Sequence, residues 1–346
     1  MKLDKLFRTA VEYKASDLYI TTGTKPILRI HGNLTIVEEH PVITAEVAKE
    51  YILETMTEAQ QKVVMEKLDI DYGIEITEIA RFRANAFFQR KGMAAVFRLI
   101  PSHILTMDEL NLPAQLKKIP KFPNGLVLVT GPTGSGKSTT LAALVHEINL
   151  NQKQHIITIE DPIEFVHENK LSVVDQREVG YHAESFSRAL RASLREDPDV
   201  ILIGEMRDLE TMALAITAAE TGHLVLATLH TSGAAKAVDR IIDGFPPEQQ
   251  NQIRVQFSES LRCIVWQNLL PRRDGTGRVG AYEILFNNHA IANMIRKSKT
   301  YQIGSNMETG INEGMQTMKR CLTQLAEQGL ISEETVHENL PDEMEV

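Results

Sequence analysis

The 346-residue chain is 43% hydrophobic and 24% charged, the mix of an ordinary globular protein, and its formal net charge of −9 offers no global basic field to nucleic acid or an anionic membrane. Its two cysteines, Cys263 and Cys321, lie far apart with no CxxC pair, which argues against a structural zinc site and a disulfide framework. No run of about 18 apolar residues occurs, and the opening MKLDKLFRTAVEYKASDLYI breaks its apolar stretches with charges, so the expectation is a cytoplasmic chain without signal peptide or membrane span.

The length suggests two domains. In chain order, Leu3, Leu6, Phe7, Ala10 and Val11 fall at helical spacing and predict a short amphipathic helix. DLYITT, PILRI and LTIVEE read as short strands, with HGN (31–33) as a turn. Helical patterns fill about 43–67, where Thr57 and Gln60 suit a capping box. RFRANAFF and MAAVFRLI read as paired strands joined by QRKG, completing an α+β domain over 1–100. Residues 101–124 carry four prolines and read as a linker with one short helix. From 125 the strand-like runs LVLVT, HIITI, VILIG and HLVLATLH alternate with helical stretches, the signature of a parallel sheet covered by helices. From about 235 the pattern is mostly helical, interrupted by NLLPRRDGTGRVGAYEIL, a hairpin around RRDGTGR. This second domain runs over 125–340, and 341–346 form an acidic, frayed tail.

The strongest chemical signal is GPTGSGKS, where Gly131, Gly136, Lys137 and Ser138 fit G-x-x-x-x-G-K-[ST] after an apolar strand and before a helix. Glycines let successive N–H groups point inward as a nest for phosphate oxygens, and the following helix N-terminus adds a favourable dipole. Lys137 can reach the β- and γ-phosphates and Ser138 can ligate Mg²⁺. The candidate nucleotide set is therefore Gly131, Pro132, Thr133, Gly134, Ser135, Gly136, Lys137, Ser138 and Thr139, with ATP and Mg²⁺ as cofactors. The loop alone does not separate an ATPase from a kinase or a motor.

Further along, ITIEDPIEF sets Glu160, Asp161 and Glu164 at a strand end, either to orient Mg²⁺ or water, or as a charged loop capping a helix. In DPDVILIGEMRD, Glu205 follows a buried strand in the Walker B layout and is placed to polarise water, directly or through Mg²⁺. His223 and His230 flank one apolar strand and read as γ-phosphate sensors or as structural histidines; metal ligation by the pair is a weaker reading, for want of a third ligand. Arg81 and Arg83 share a strand face, and Arg98 follows on the next strand; a solvated face is the plainer reading, a guanidinium aimed at γ-phosphate the sharper one. Arg188, Arg191 and Arg195 form a helical stripe read mainly as surface.

Together GPTGSGKSTTLAALV, TIEDPIEFVHENK, REDPDVILIGEMRDLETMALAITAAETGHLVLATLHT and GMQTMKRCL resemble the PilT family, the retraction ATPases of type IV pili within the secretion-ATPase superfamily. The resemblance extends over nearly the whole chain. It implies an N-terminal PAS-like domain and a C-terminal RecA-like domain in a six-membered ring, with ATP between the domains and next to a neighbour. It assigns Gly131 to Ser138 to Walker A, Glu160, Asp161 and Glu164 to the Asp box with Glu164 a candidate catalytic carboxylate, Glu205 to Walker B, and His223 and His230 to the His box. Arg83 and Arg98 match arginines offered to nucleotide. The implied partners are an inner-membrane pilus platform protein and a second retraction ATPase, at the pilus base on the cytoplasmic side. One departure is AIANMI (290–295), where the family pattern is AIRNLI: Ala292 and Met294 replace an arginine and a leucine. An accessory PilU-like motor and a pilus assembly or secretion ATPase are the neighbouring readings. A nucleic-acid translocase is disfavoured by the acidic charge and 5% aromatics, a non-hydrolysing switch by the intact acidic and histidine motifs, and a small-molecule kinase by the lack of an acceptor lid.

Overall fold

The computed structural model of the protein describes residues 2–30, 32–100 and 103–340. His31 of the expected turn, residues 101 and 102 of the expected linker and the tail 341–346 lie outside the described residues. The chain divides into two compact units, one of residues up to His103 together with Pro162–Val166, the other of Ile104–Asp161 and the residues from His167 onward.

In the first unit, helix α1 (Asp4–Glu12) precedes strands β1 (Asp17–Thr21), β2 (Ile27–Ile30) and β3 (Asn33–Ile36). Helices α2 (Ala45–Leu53) and α3 (Glu58–Lys67) follow, then β4 (Asp69–Ile76), β5 (Ala80–Gln89) and β6 (Gly92–Ile100). The helical stretch breaks where its capping signal lies: the Thr57 hydroxyl accepts from Gln60 N–H, and the Gln60 side chain accepts from Thr57 N–H. The six strands form one antiparallel sheet, β3-β2-β1-β6-β5-β4. Phe82, Ala84 and Ala86 alternate inward on β5, where Phe82 stacks on Phe7 of α1 with centroids 4.6 Å apart. Arg81, Arg83 and Asn85 therefore share the other face of that strand.

The second unit opens at Ile104. Met107, Leu112, Leu116 and Ile119, within the stretch read as a linker, are buried in its core, the last two on a 3-10 helix (Ala114–Lys121). Prolines keep this path from being α-helical, yet the apolar residues between them are packed. Strand β7 (Gly125–Thr130), helix α4 (Lys137–Asn151), β8 (His155–Glu160), β9 (Val173–Glu178), helix α5 (Phe186–Ser193), β10 (Val200–Ile203), helix α6 (Leu209–Glu220) and β11 (Leu224–Leu229) follow. Then come helices α7 (Ala234–Asp243) and α8 (Pro247–Ser260), the hairpin β12 (Leu261–Pro271) and β13 (Arg278–Phe286), and helices α9 (His289–Arg296), α10 (Ile303–Thr309), α11 (Met318–Glu327) and α12 (Glu333–Asn339). The sheet order is β13-β12-β7-β11-β10-β8-β9, parallel except for the β12–β13 pair. Every residue of β7, β10 and β11 is buried, as central strands covered on both faces require. This is the expected layout: an antiparallel α+β unit followed by a RecA-like unit with a mainly parallel sheet.

Among the described residues no helix is long and apolar enough to cross a membrane. Arg188 pairs with Glu184 and Arg191 with Glu210 on exposed surface, as the stripe reading anticipates.

Candidate functional site

The sheet order brings four strand ends side by side at its carboxyl edge: β7 with the glycine loop, β11 with His230, β10 with Glu205 and β8 with Glu160. This is the edge where open parallel sheets take ligands.

The loop's shape explains its residues. Gly131, Gly134 and Gly136 have φ of +145°, +78° and +88°, a region costly to side chains. At Gly131 a Cβ would sit 2.2 Å from the Gln267 carbonyl oxygen and 2.7 Å from Ser135 Oγ. Gly136 caps α4 without a side-chain acceptor, so the first-turn N–H groups of a 15-residue helix face the loop. Lys137 is buried, and its Nζ donates to the carbonyls of Gly131 (2.9 Å) and Pro132 (3.0 Å), so the ammonium is held inside the loop's curl. Pro132, Thr133 and Gly134 form its exposed rim, and Ser138 and Thr139 are half-buried on the first turn of α4. These residues fit a phosphate chain: inward N–H groups, an ammonium, and a hydroxyl where Walker A serines ligate Mg²⁺.

Glu205 lies beyond β10, its Oε1 3.4 Å from His230 Nε2 and its Oε2 2.7 Å from Arg207. The Thr228 hydroxyl donates to the Gly204 carbonyl and Met206 N–H donates to Thr228 O (3.2 Å), lacing the ends of β10 and β11 together. Burial pushes the Glu205 carboxyl up, but Arg207 first, then His230 and Lys137, outweigh it and hold it below the ordinary carboxylate range. A charged base in a half-buried position is thus maintained beside a histidine. Glu160 accepts at Oε1 from Thr158 Oγ1 (2.7 Å) and Gln176 Nε2 (3.2 Å), which orient it at the end of β8.

Not every candidate of the second unit gathers here. His223 stands at the amino edge of the same sheet, where its carbonyl accepts from Gly125 N–H at the start of β7 and its Nδ1 donates to Ala218 O (2.9 Å). Seven residues along an extended strand separate it from His230 by about 20 Å. Glu164 lies in Pro162–Val166, the segment grouped with the first unit. Arg83 and Arg98 face each other in register on β5 and β6 of that unit. Arg98 Nε donates to the buried Asp17 carboxylate at 2.9 Å.

Sequence reading missed Gln267. It is buried on β12, its Nε2 donates to the Ser135 carbonyl at 2.7 Å, and its own carbonyl walls the loop at Gly131. The available signal was an amide inside the apolar run CIVWQNLL. Arg207 and Gln176 were missed for a plainer reason: surface arginines and glutamines carry no motif.

A mainly parallel sheet with a glycine loop and a helix N-terminus after one strand, and an acid after another, defines a P-loop nucleotide-binding protein. The chain belongs to the Type II/IV secretion system protein family, whose model matches residues 1–339. It is 50% identical over 329 residues to a twitching motility protein of Neisseria gonorrhoeae, covering 95% of this chain and 88% of that one. It is 48% identical over 338 residues to the type IV pilus retractation ATPase PilT of Pseudomonas aeruginosa, covering 98% of each. A crystal structure of the pilus retraction motor PilT with bound ADP superposes with a TM-score of 0.92 at 45% identity, over 99% of this chain and 98% of that one.

Proposed function

We propose that this chain is the ATP-hydrolysing motor of type IV pilus retraction. The observation that carries the reading is the shared carboxyl edge, where Lys137 sits in the phosphate loop and the charged Glu205 stands 3.4 Å from His230. Relatives that match nearly end to end, among them a pilus retraction ATPase, support it.

The roles follow from the geometry. Loop N–H groups and Lys137 take the β- and γ-phosphates and stabilise charge that spreads in the transition state. Glu205, ionised at neutral pH, aligns a water for in-line attack and receives its proton at a carboxylate oxygen. His230 contacts the γ-phosphate from the end of β11, and Glu160 fixes the neighbouring edge. Glu164, Arg83 and Arg98 keep the roles the family resemblance gives them. His223, at the far edge, serves a surface other than its own chain's phosphate loop. Ser138, and Glu205 through water, would hold Mg²⁺, which would supply charge neutralisation for the phosphates.

The chain works as a homo-hexameric ring on the cytoplasmic face of the inner membrane, against a platform protein and alongside a second retraction ATPase. Hydrolysis releases contacts to the γ-phosphate, and the resulting movement extracts pilin subunits. Cells whose only copy carries Lys137→Ala should extend pili that do not shorten, and the purified variant should lose turnover about a hundredfold or more. Pili that shorten at the wild-type frequency would overturn the reading.

A further inference from the structure

The motif GMQTMKRCL has no task in the chemistry above. Its backbone is laced to β13: Gln316 exchanges both backbone hydrogen bonds with Ile284 (2.9 and 2.8 Å), Gln316 Nε2 donates to Tyr282 O (2.9 Å), and Tyr282 N–H donates to Cys321 Sγ (3.3 Å). Between these contacts lies Glu283. Its Oε2 accepts from Met318 N–H, the first residue of α11, at 3.3 Å. Its Oε1 accepts from Ala234 N–H, the first residue of α7, at 2.8 Å. One carboxylate therefore occupies two helix N-termini, where donors without intrahelical partners favour negative charge.

The α7 end matters because, among the described residues, no side chain of its own cap serves it. Its cap is Gly233, at φ +109° and without a side-chain acceptor. Only Thr231, Ser232 and Gly233 separate Ala234 from His230. Burial pushes the Glu283 carboxyl up, against the two amide donors that pull it down. An amide in its place satisfies one N–H and turns its own N–H₂ toward the other, leaving a buried donor without an acceptor.

We propose that Glu283 is a positioning residue for the hydrolytic site: by fixing the first turn of α7 it holds His230 against Glu205, and by fixing α11 it ties that loop to the GMQTMKRCL segment. The inference rests on the reading of His230 as a γ-phosphate contact. Its content is that Glu283 acts through His230 and not merely through stability.

A double-mutant cycle on ATP turnover by the full-length protein tests it. Glu283→Gln should lower kcat about tenfold while leaving KM for ATP within about twofold, the pattern of an interaction made in the transition state. In a His230→Ala background the same substitution should cost less than about twofold, because the residue it positions is gone. An equal loss in both backgrounds, or a wild-type kcat in Glu283→Gln, overturns the proposal and leaves the motor reading intact. Wild-type turnover in His230→Ala removes the role of the histidine and the proposal with it. Should Glu283→Gln fail to fold, Ala234→Pro carries the test: it deletes the N–H that Oε1 accepts, at a helix position where proline is tolerated. The same drop in kcat at constant KM is expected there, and undiminished turnover overturns the proposal.

Discussion

At the scale of single residues, the phosphate loop shows how little freedom the site has. Gly131 is hemmed by the Gln267 carbonyl on β12 and by Ser135 of its own loop, at a φ of +145°. The nearer obstacle, the Gln267 carbonyl oxygen at 2.2 Å, is backbone, so a methyl group there must move backbone. Gly131→Ala should destabilise the second unit by about 1–3 kcal/mol and abolish ATP binding, read by denaturant unfolding and by equilibrium titration with ATP. Wild-type affinity in that variant would mean that the loop can be rebuilt around a side chain. The same crowding explains why the glycines were legible in the sequence and Gln267 was not. A glycine is visible because its absence of side chain is the signal, whereas the group that makes it necessary comes from a strand more than a hundred residues away.

At the scale of elements, strands with strong apolar patterning were readable and those carrying charge were not. β7, β8, β10 and β11 are near-continuous runs of Ile, Leu and Val, as buried parallel strands must be. β4 (DIDYGIEI) and the edge strand β9 (VVDQRE) were missed because exposed acids and a glycine dilute their alternation. The first half of β12, LRCIVWQ, was absorbed into a helical reading because its hydrophobics suit either element. β9 also supplies Gln176, which accepts from His167 N–H at 2.8 Å. His167 is buried with no hydrogen-bond partner for Nδ1 among the described residues, and burial, then the neighbouring His146 of α4, hold its pKa down at about 4. The unfolded chain titrates this group near 6.5 and so binds more protons between the two values. Its stability contribution is therefore complete above about pH 6.5 and is lost as pH falls toward 4, by about 3 kcal/mol at most. Urea unfolding at about pH 7.5 and about pH 5 should show a drop in stability that shrinks in His167→Gln; equal drops in both proteins would assign the pH dependence to other groups.

At the scale of the whole molecule, the family likeness was legible because several motifs recur in order across the chain. The placement of the candidates was less so. Spacing alone joins His223 to His230, but a parallel strand puts its two ends on opposite edges of the sheet, and only His230 meets Glu205. What remains at the carboxyl edge is a compact set: a phosphate loop, an ionised acid and one histidine, resting on a carboxylate that spans two helix starts. Within that set, binding of ATP is separable from its hydrolysis. Measured side by side on purified wild-type protein and Glu205→Gln, ATP affinity should agree within about threefold while phosphate release falls about a hundredfold or more in the variant. Phosphate release at the wild-type rate from Glu205→Gln would contradict it.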